Sequence, residues 1–214
     1  MKAESLLKDI RSSLAPLNEK ILNHPYIIDA EKGVLPLAKI KAFASNQYYI
    51  ISRDAKSLSL MLSRTTNPEE LKLFEKLAKG DLDGFHCIIK MAEALGFTVQ
   101  ELENLDPIPD VVAYTHYLCA LAQFASPGEQ AMALIANLSV WGLNCGRLSK
   151  ALRNKYRING TSFLDLFAGS TKELEAEALQ IIERYLPEKE RSMRIVVKLI
   201  QAYELMFWDG LYRS

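Results

Sequence analysis

Glu204 is the residue whose type and placement most directly suggest chemistry. It belongs to the closing run Ala202-Tyr203-Glu204-Leu205-Met206-Phe207-Trp208-Asp209-Gly210-Leu211-Tyr212. At ~100° per helical residue, Met193, Val197, Ile200, Glu204, Phe207 and Leu211 fall within an arc of roughly 80°. A carboxylate in the middle of an apolar stripe is costly to bury unless it gains a partner, a proton or a ligand. Two readings follow. Glu204 is a structurally satisfied glutamate, or it is a pocket carboxylate beside an aromatic wall. In the second, Phe207 lies three residues on and shares its face. The pair could then stack on and hydrogen-bond one flat heterocycle.

Two further helical stripes carry polar residues where packing alone would not put them. Ile40, Phe43, Gln47, Ile50, Ile51, Asp54, Leu58 and Met61 line one face, interrupted by Gln47 and Asp54. Core Gln and Asp need hydrogen-bond partners, either interhelical or from a ligand. A later stretch carries Ala133, Asn137, Val140 and Asn144 on one face. That face is small and polar, which suits a cavity wall better than dense packing. Tyr114, Tyr117 and Leu121 share a face of the helix before it.

Other chemistries find less support. The histidines His24, His86 and His116 form no HExxH, and no Glu-x-x-His pair recurs, so no metal is expected. Nucleophilic catalysis needs a Ser or Cys within reach of a base. Cys145 lies in the stripe Leu134, Leu138, Trp141, Cys145, Leu148, Leu152 and reads as a small packing residue. The ten glycines are scattered at turns and form no phosphate-cradling loop.

These residues must be positioned by helices. Ala3 to Leu14 reads as a first helix and Leu17 to Asn23 as a second piece beyond Pro16. His24-Pro25-Tyr26 is a turn or a helix start. A long helix opens at Pro36 and ends near Thr65. Asn67-Pro68-Glu69-Glu70 caps the next, which runs to Leu95 and stops at Gly96. Thr98 to Glu101 is a capping box for a short helix. Asp110 to Ala125 follows, then a helix capped at Ser126-Pro127-Gly128-Glu129 that runs to about Tyr156. Asn159-Gly160 is a turn. Thr161 to Ala168 and Thr171 to Tyr185 are helical, and Pro187 is expected to open the last helix. No strand-like alternation of useful length is present. The expectation is an all-α fold of seven to nine helices in a single domain over residues 1–214.

Length and composition agree. A chain of 214 residues with 49% hydrophobic content can bury a sizeable core. With 26 basic and 26 acidic residues the formal charge is zero, which argues against direct nucleic-acid contact. No cationic segment followed by an apolar one marks a signal peptide. No apolar run reaches the ~18 residues of a membrane span. Three cysteines without a CxxC pair fit free thiols and a cytoplasmic location.

Several motifs then resemble one family. His24-Pro25-Tyr26, Gly33 to Pro36, and Phe43-Ala44-Ser45-Asn46-Gln47-Tyr48-Tyr49 resemble the opening of TenA proteins. Ala113-Tyr114-Thr115-His116-Tyr117-Leu118 resembles their middle signature, and Tyr203-Glu204-Leu205-Met206-Phe207-Trp208-Asp209 their closing Glu-x-x-Phe-Trp. Asn46-Gln47-Tyr48-Tyr49 and Asp54-Ala55 are also similar to the related pyrroloquinoline-quinone synthases. The resemblance spans nearly the whole chain. It implies a haem-oxygenase-like helical bundle and a thiamin-salvage enzyme that hydrolyses aminopyrimidines or thiamin, a thiaminase II type of C–N hydrolase.

In that family a Cys attacks the pyrimidine, a last-helix carboxylate handles the proton, and an aromatic residue one turn later stacks on the ring. Glu204 matches the carboxylate, Phe207 the stacking residue and Tyr114 the middle tyrosine. The resemblance places the family's nucleophilic Cys at Val140, which cannot attack, and the tyrosine one turn later at Asn144. The early-helix Asp falls on Gln47, and the short-helix Tyr on Phe167. Cys145 lies five residues past the Cys position, ~140° away on a helix. Diiron relatives pair a Glu with a His seven residues on, and here Lys79 stands seven before His86.

The sequence therefore predicts a central pocket lined by Gln47, Asp54, Tyr114, Asn137, Val140, Asn144, Phe167 and Phe207, with Glu204 as the catalytic carboxylate. It calls for no cofactor and no metal. Its ligand is a small flat heterocycle of aminopyrimidine type. Two alternatives stand beside hydrolysis. One is a cofactor-independent oxidase like the quinone synthases. The other is a non-catalytic ligand-binding or regulatory protein, in line with the transcriptional-activator label that TenA proteins carry. The resemblance further implies a homodimer or homotetramer.

Overall fold

The computed structural model describes residues 2–214, and among them there are ten helices and no strand. They are α1 (Ala3–Ser13), α2 (Ala15–Leu22), α3 (Pro25–Lys32), α4 (Leu37–Ser63), α5 (Pro68–Ala94), α6 (Val99–Glu103), α7 (Pro109–Phe124), α8 (Pro127–Tyr156), α9 (Ser162–Phe167) and α10 (Lys172–Arg213).

Local chemistry sets most of the boundaries. Ser126 and Thr98 each close a capping box with the glutamate three residues on, Glu129 and Glu101. The Asn67 side chain accepts from the backbone N–H of Glu69 and Glu70 and caps α5. Glu70 itself turns away from this cap. Its carboxylate takes the Thr65 hydroxyl, Arg184 and the Tyr185 hydroxyl, and so ties α5 to α10. Pro25, Pro68, Pro109 and Pro127 occupy first-turn positions, where a missing N–H is harmless. Gly33 and Gly96 end α3 and α5 at φ 76° and 88°, conformations that side-chain-bearing residues resist.

His24 begins a helix and is not a free turn. Its Nδ1 accepts from the Tyr26 N–H, so Nε2 carries the proton and donates to Asp209 at 3.1 Å. The Tyr212 hydroxyl donates to Asp29 at 2.7 Å. These two contacts, the first of them between residues of the opening and closing motifs, join α3 and its cap to the end of α10.

The helix count differs from the expected seven to nine, and the expected break at Pro187 does not occur. Residues 172–213 form one continuous helix with Pro187 inside it. A proline in a helix interior costs about 3 kcal/mol, because it lacks the N–H and crowds the carbonyl four residues back. Here Pro187 and Glu183 both face solvent, so water can satisfy the freed carbonyl. The turns on either side are held by the buried Ile181, Ile182, Leu186 and Met193. Tertiary packing overrides the local break.

The most extensive contacts are between α8 and α10 and between α4 and α5, with α7 packed on both α4 and α10. Two apolar clusters result. One gathers Tyr26, Phe43, Phe163, Phe207 and Trp208. The other gathers Leu6, Phe74, Leu118, Met132 and Ile182. No helix among the described residues is long and apolar enough to cross a membrane.

Candidate functional site

A cavity with about 660 Å³ of empty space, part of it open to solvent, lies where the two clusters meet. Ile51, Phe163 and Phe207 reach it from the first cluster, and Leu58, Leu118 and Leu134 from the second. Its polar groups come from five helices. α4 supplies Gln47 and Asp54, seven residues apart on one face. α5 supplies Asp81, α7 Tyr114, α8 Asn137, and α10 Glu204.

Glu204 is 2% exposed and held by two donors from the protein. Asn137 Nδ2 donates to its Oε2 at 2.5 Å, and Trp208 Nε1 to its Oε1 at 3.4 Å. The other N–H of Asn137 Nδ2 goes to Gln201 Oε1 at 2.9 Å, and Asn137 Oδ1 accepts from the Tyr114 hydroxyl at 3.1 Å. Gln201 continues the chain to Asn18 at 2.6 Å. Burial pushes the Glu204 carboxyl up from 4.5 to about 8, against the opposing pull of the Trp208 and Asn137 hydrogen bonds. It is therefore chiefly a neutral acid at pH 7 and can donate a proton.

The second polar end is built on Asp54. It is 6% exposed, and its Oδ1 accepts from the Thr115 hydroxyl at 2.5 Å. Burial raises its carboxyl from 3.8 to about 7, with the Thr115 hydrogen bond opposing. The half-buried Asp81 is also raised, by burial of its carboxyl first and by the nearby Asp54 second. The Tyr114 hydroxyl is pushed up by burial and then by Asp54, Glu204 and Asp81 in turn. It lies within electrostatic range of all three carboxyls.

Gln47 is 4% exposed, and its side-chain amide makes no hydrogen bond among the described residues. Neither amide atom is sealed from solvent-sized space, since among the described residues the one sealed side-chain atom without a partner is Glu177 Oε2. The Gln47 amide therefore faces the cavity. Part of the cavity wall is aromatic. Trp141 lies 5.6 Å from Phe207 and 6.4 Å from Phe167 between ring centroids, both edge-on. Phe163 backs Phe167 at 5.1 Å.

The structure brings Gln47, Asp54, Tyr114, Asn137, Phe167, Glu204 and Phe207 around one cavity and leaves out two residues expected there, Val140 and Asn144. Val140 packs into the first cluster. Asn144 is fully buried, donates to the Ile21 carbonyl at 3.1 Å and accepts from Arg147 at 3.4 Å. The face of α8 that meets the cavity carries Leu134, Asn137, Leu138 and Trp141 instead. From Asn137, Val140 lies ~60° to one side and Trp141 ~40° to the other, so a modest rotation of α8 decides between them. Asn137 and Trp141, four residues apart, both face the cavity.

Cys145 does not line the cavity. It is fully buried in the first cluster, and burial, with a smaller push from Glu204, raises its thiol well above the usual range. Asp81 also lines the cavity and is absent from the residues that the sequence predicts there. Its signal was present: Leu77, Asp81, Gly84 and Ile88 recur at helical spacing, which puts the aspartate on the inward face of α5.

The sequence model described as the TENA/THI-4/PQQC family matches residues 11–214. A curated relative, the aminopyrimidine aminohydrolase of Halalkalibacterium halodurans, is 27% identical over 112 residues. That match covers 52% of this chain and 50% of the relative, so the chain spans about half the length of the curated protein it matches. Among solved structures, a TenA homologue from P. horikoshii OT3 superposes with a TM-score of 0.80 at 19% identity, covering 97% of this chain and 98% of that one. A domain with a haem-oxygenase-like fold from Shewanella denitrificans OS217 gives 0.81 at 15% identity, covering 97% and 92%. The fold is thus all-α and haem-oxygenase-like.

Proposed function

This chain belongs to the TENA/THI-4/PQQC family, and on that footing we propose that its cavity binds a flat, amino-bearing nitrogen heterocycle of the aminopyrimidine class and cleaves a C–N bond on it. The observation that carries this reading is Glu204, a buried carboxyl fixed by Asn137 and Trp208 at the edge of an aromatic cavity. A ring stacked on Phe207 or Trp141 would present its nitrogens to Glu204 at one edge and to the free amide of Gln47 at another. An amide both donates and accepts, as an aminopyrimidine edge requires. The match to a protein named aminopyrimidine aminohydrolase supports the same ligand class.

Hydrolysis on this site would use water as the nucleophile. Neutral Glu204 delivers its proton to the leaving amine nitrogen as the C–N bond breaks. The resulting carboxylate takes a proton from the water that attacks the carbon, which restores the neutral acid and leaves an alcohol and an amine. A carboxyl held near 8 is matched to both halves of that exchange at neutral pH.

One observation favours a second reading, binding without turnover: no cysteine lines the cavity, so the covalent thiol route that the resemblance implies lacks its nucleophile. The two readings separate in one experiment. Aminopyrimidines carrying an aminomethyl group are titrated calorimetrically, and amine release is followed on the same samples. Binding with release that Glu204→Gln abolishes supports hydrolysis. Binding with no release supports the second reading. No binding by any aminopyrimidine ends both.

A further inference from the structure

The proposed ring site uses Gln47, Phe207 and Glu204 and leaves two cavity carboxyls, Asp54 and Asp81, without a task. Neither belongs to an ion pair among the described residues. Asp54 spends one oxygen on Thr115 and has its other free, and neither Asp81 oxygen makes a hydrogen bond. None of these free oxygens is sealed in the core, so all three meet open space. No Lys, Arg or His lines the cavity, while three carboxyls do.

We propose that Asp54 and Asp81 form a subsite for an organic ammonium group carried on the far end of the ring ligand. This rests on the reading that a ring occupies the same cavity.

Four points bear on it. Asp54 and Asp81 line the same cavity near enough to disfavour each other's charge, and a cation beside them would relieve both. The free Gln47 amide, on the same face of α4, is an independent sign that the cavity is built for a polar guest. Gln47 and Asp54 are seven residues apart, about 10 Å along the helix, so one ligand reaching both must be longer than a single ring. The aromatic rings of Phe163 and Phe167 line the same cavity, a setting in which an organic cation is favoured. A metal ion fits less well. Among the described residues, no group of three or more His, Cys, Asp or Glu is placed to hold one.

The test uses a matched pair of probes, an aminopyrimidine bearing an aminopropyl chain and its hydroxypropyl counterpart. Both are titrated into the wild-type chain and into Asp81→Asn. The wild type should bind the amine about tenfold or more tighter than the alcohol, a ratio typical of a charge-assisted hydrogen bond. Asp81→Asn should bring that ratio close to one. Asp81 makes no hydrogen bonds, so this variant should fold; if it does not, Asp54→Asn should collapse the ratio in the same way. Equal affinity for the two probes in wild type, or a ratio that survives both substitutions, overturns the subsite and leaves the ring reading standing. Propylammonium binding as tightly as the aminopropyl probe would show a cation site without a ring site, and so overturn the ring reading and the two-ended ligand together. Binding of neither probe overturns both.

Discussion

Asn137 on α8 donates from one amide nitrogen to both Glu204 and Gln201 on α10, at 2.5 Å and 2.9 Å. Its carbonyl oxygen accepts from Tyr114 on α7. One side chain therefore joins three helices at the cavity wall. Asn137→Leu keeps the bulk but leaves the Tyr114 hydroxyl, the Gln201 carbonyl and one Glu204 oxygen unpaired. Each unpaired buried group costs about 1–3 kcal/mol, partly recovered where cavity water can reach it. The variant should lose about 2 kcal/mol or more in urea denaturation, with the far-UV helical signal unchanged before the transition. A loss below about 0.5 kcal/mol, ordinary for a surface change, would mean that this junction does not hold the helices.

The raised carboxyls make stability depend on pH. Folded Glu204 keeps its proton up to about pH 8, whereas its ordinary value is 4.5. Between those limits the folded state binds more protons than the unfolded one. The stability contributed by the neutral form is full below about 4.5 and is lost as pH rises through about 8. Asp54, raised from 3.8 to about 7, acts in the same direction. His24, lowered by burial against the pull of Asp209, acts oppositely just below 6.5. Glu204→Gln removes only the Glu204 contribution. Its stability should fall less steeply than that of the wild type between pH 5 and 8, by up to about 1.4 kcal/mol per pH unit. Parallel curves from chemical denaturation across that range would contradict the shift.

Cys145 should behave as a packing residue. Cys145→Ala removes a fully buried sulfur from the first cluster and should lower stability by roughly 1–2 kcal/mol. It should leave ligand affinity within about twofold of wild type. If Cys145→Ser instead abolishes turnover in a folded protein, the thiol reaches the ligand and its core placement is wrong.

Gly142 ties the aromatic wall to α8. A Cβ there would sit 2.6 Å from the Phe167 carbonyl oxygen, a backbone atom that cannot rotate aside. Gly142→Ala should push the end of α9 outward, at a cost of about 1–3 kcal/mol for overpacking. Because Phe167 and Phe163 line the cavity from α9, ligand affinity should fall too. Unchanged affinity would mean that α9 does not shape the binding space.

Features with local causes were legible in the sequence. The capping boxes at Thr98 and Ser126, the asparagine cap at Asn67 and the stop at Gly96 depend on a few neighbouring residues. Glu204, Gln47 and Asp54 stood out because each interrupts an apolar stripe, and all three reach the cavity. What escaped depended on tertiary context. Pro187 was read as a helix start, yet packing on both sides carries α10 through it. Val140 and Asn144 were placed in the pocket, but the rotation of α8 is fixed by its neighbours. Ile21 and Arg147 claim Asn144, and Trp141 turns inward in its place. Asp81 shares a helical face with Leu77, Gly84 and Ile88, but α5 carries so many charged residues that one aspartate on that face does not stand out until α4 and α9 are packed on the helix.

The central claim is that Glu204 is the ligand-facing acid of a binding cavity rather than a structural glutamate. Calorimetric titration of an aminopyrimidine series into wild type and Glu204→Gln, with thermal melts of both at pH 7, tests it most directly. The amide keeps the side-chain volume, can still accept from Asn137 and removes the cost of ionising a buried acid, so a melt at pH 7 no lower than that of the wild type is expected, with an affinity loss of about tenfold or more. A large drop in melting temperature with no change in affinity, or no binding by any aminopyrimidine to the wild type, would contradict it.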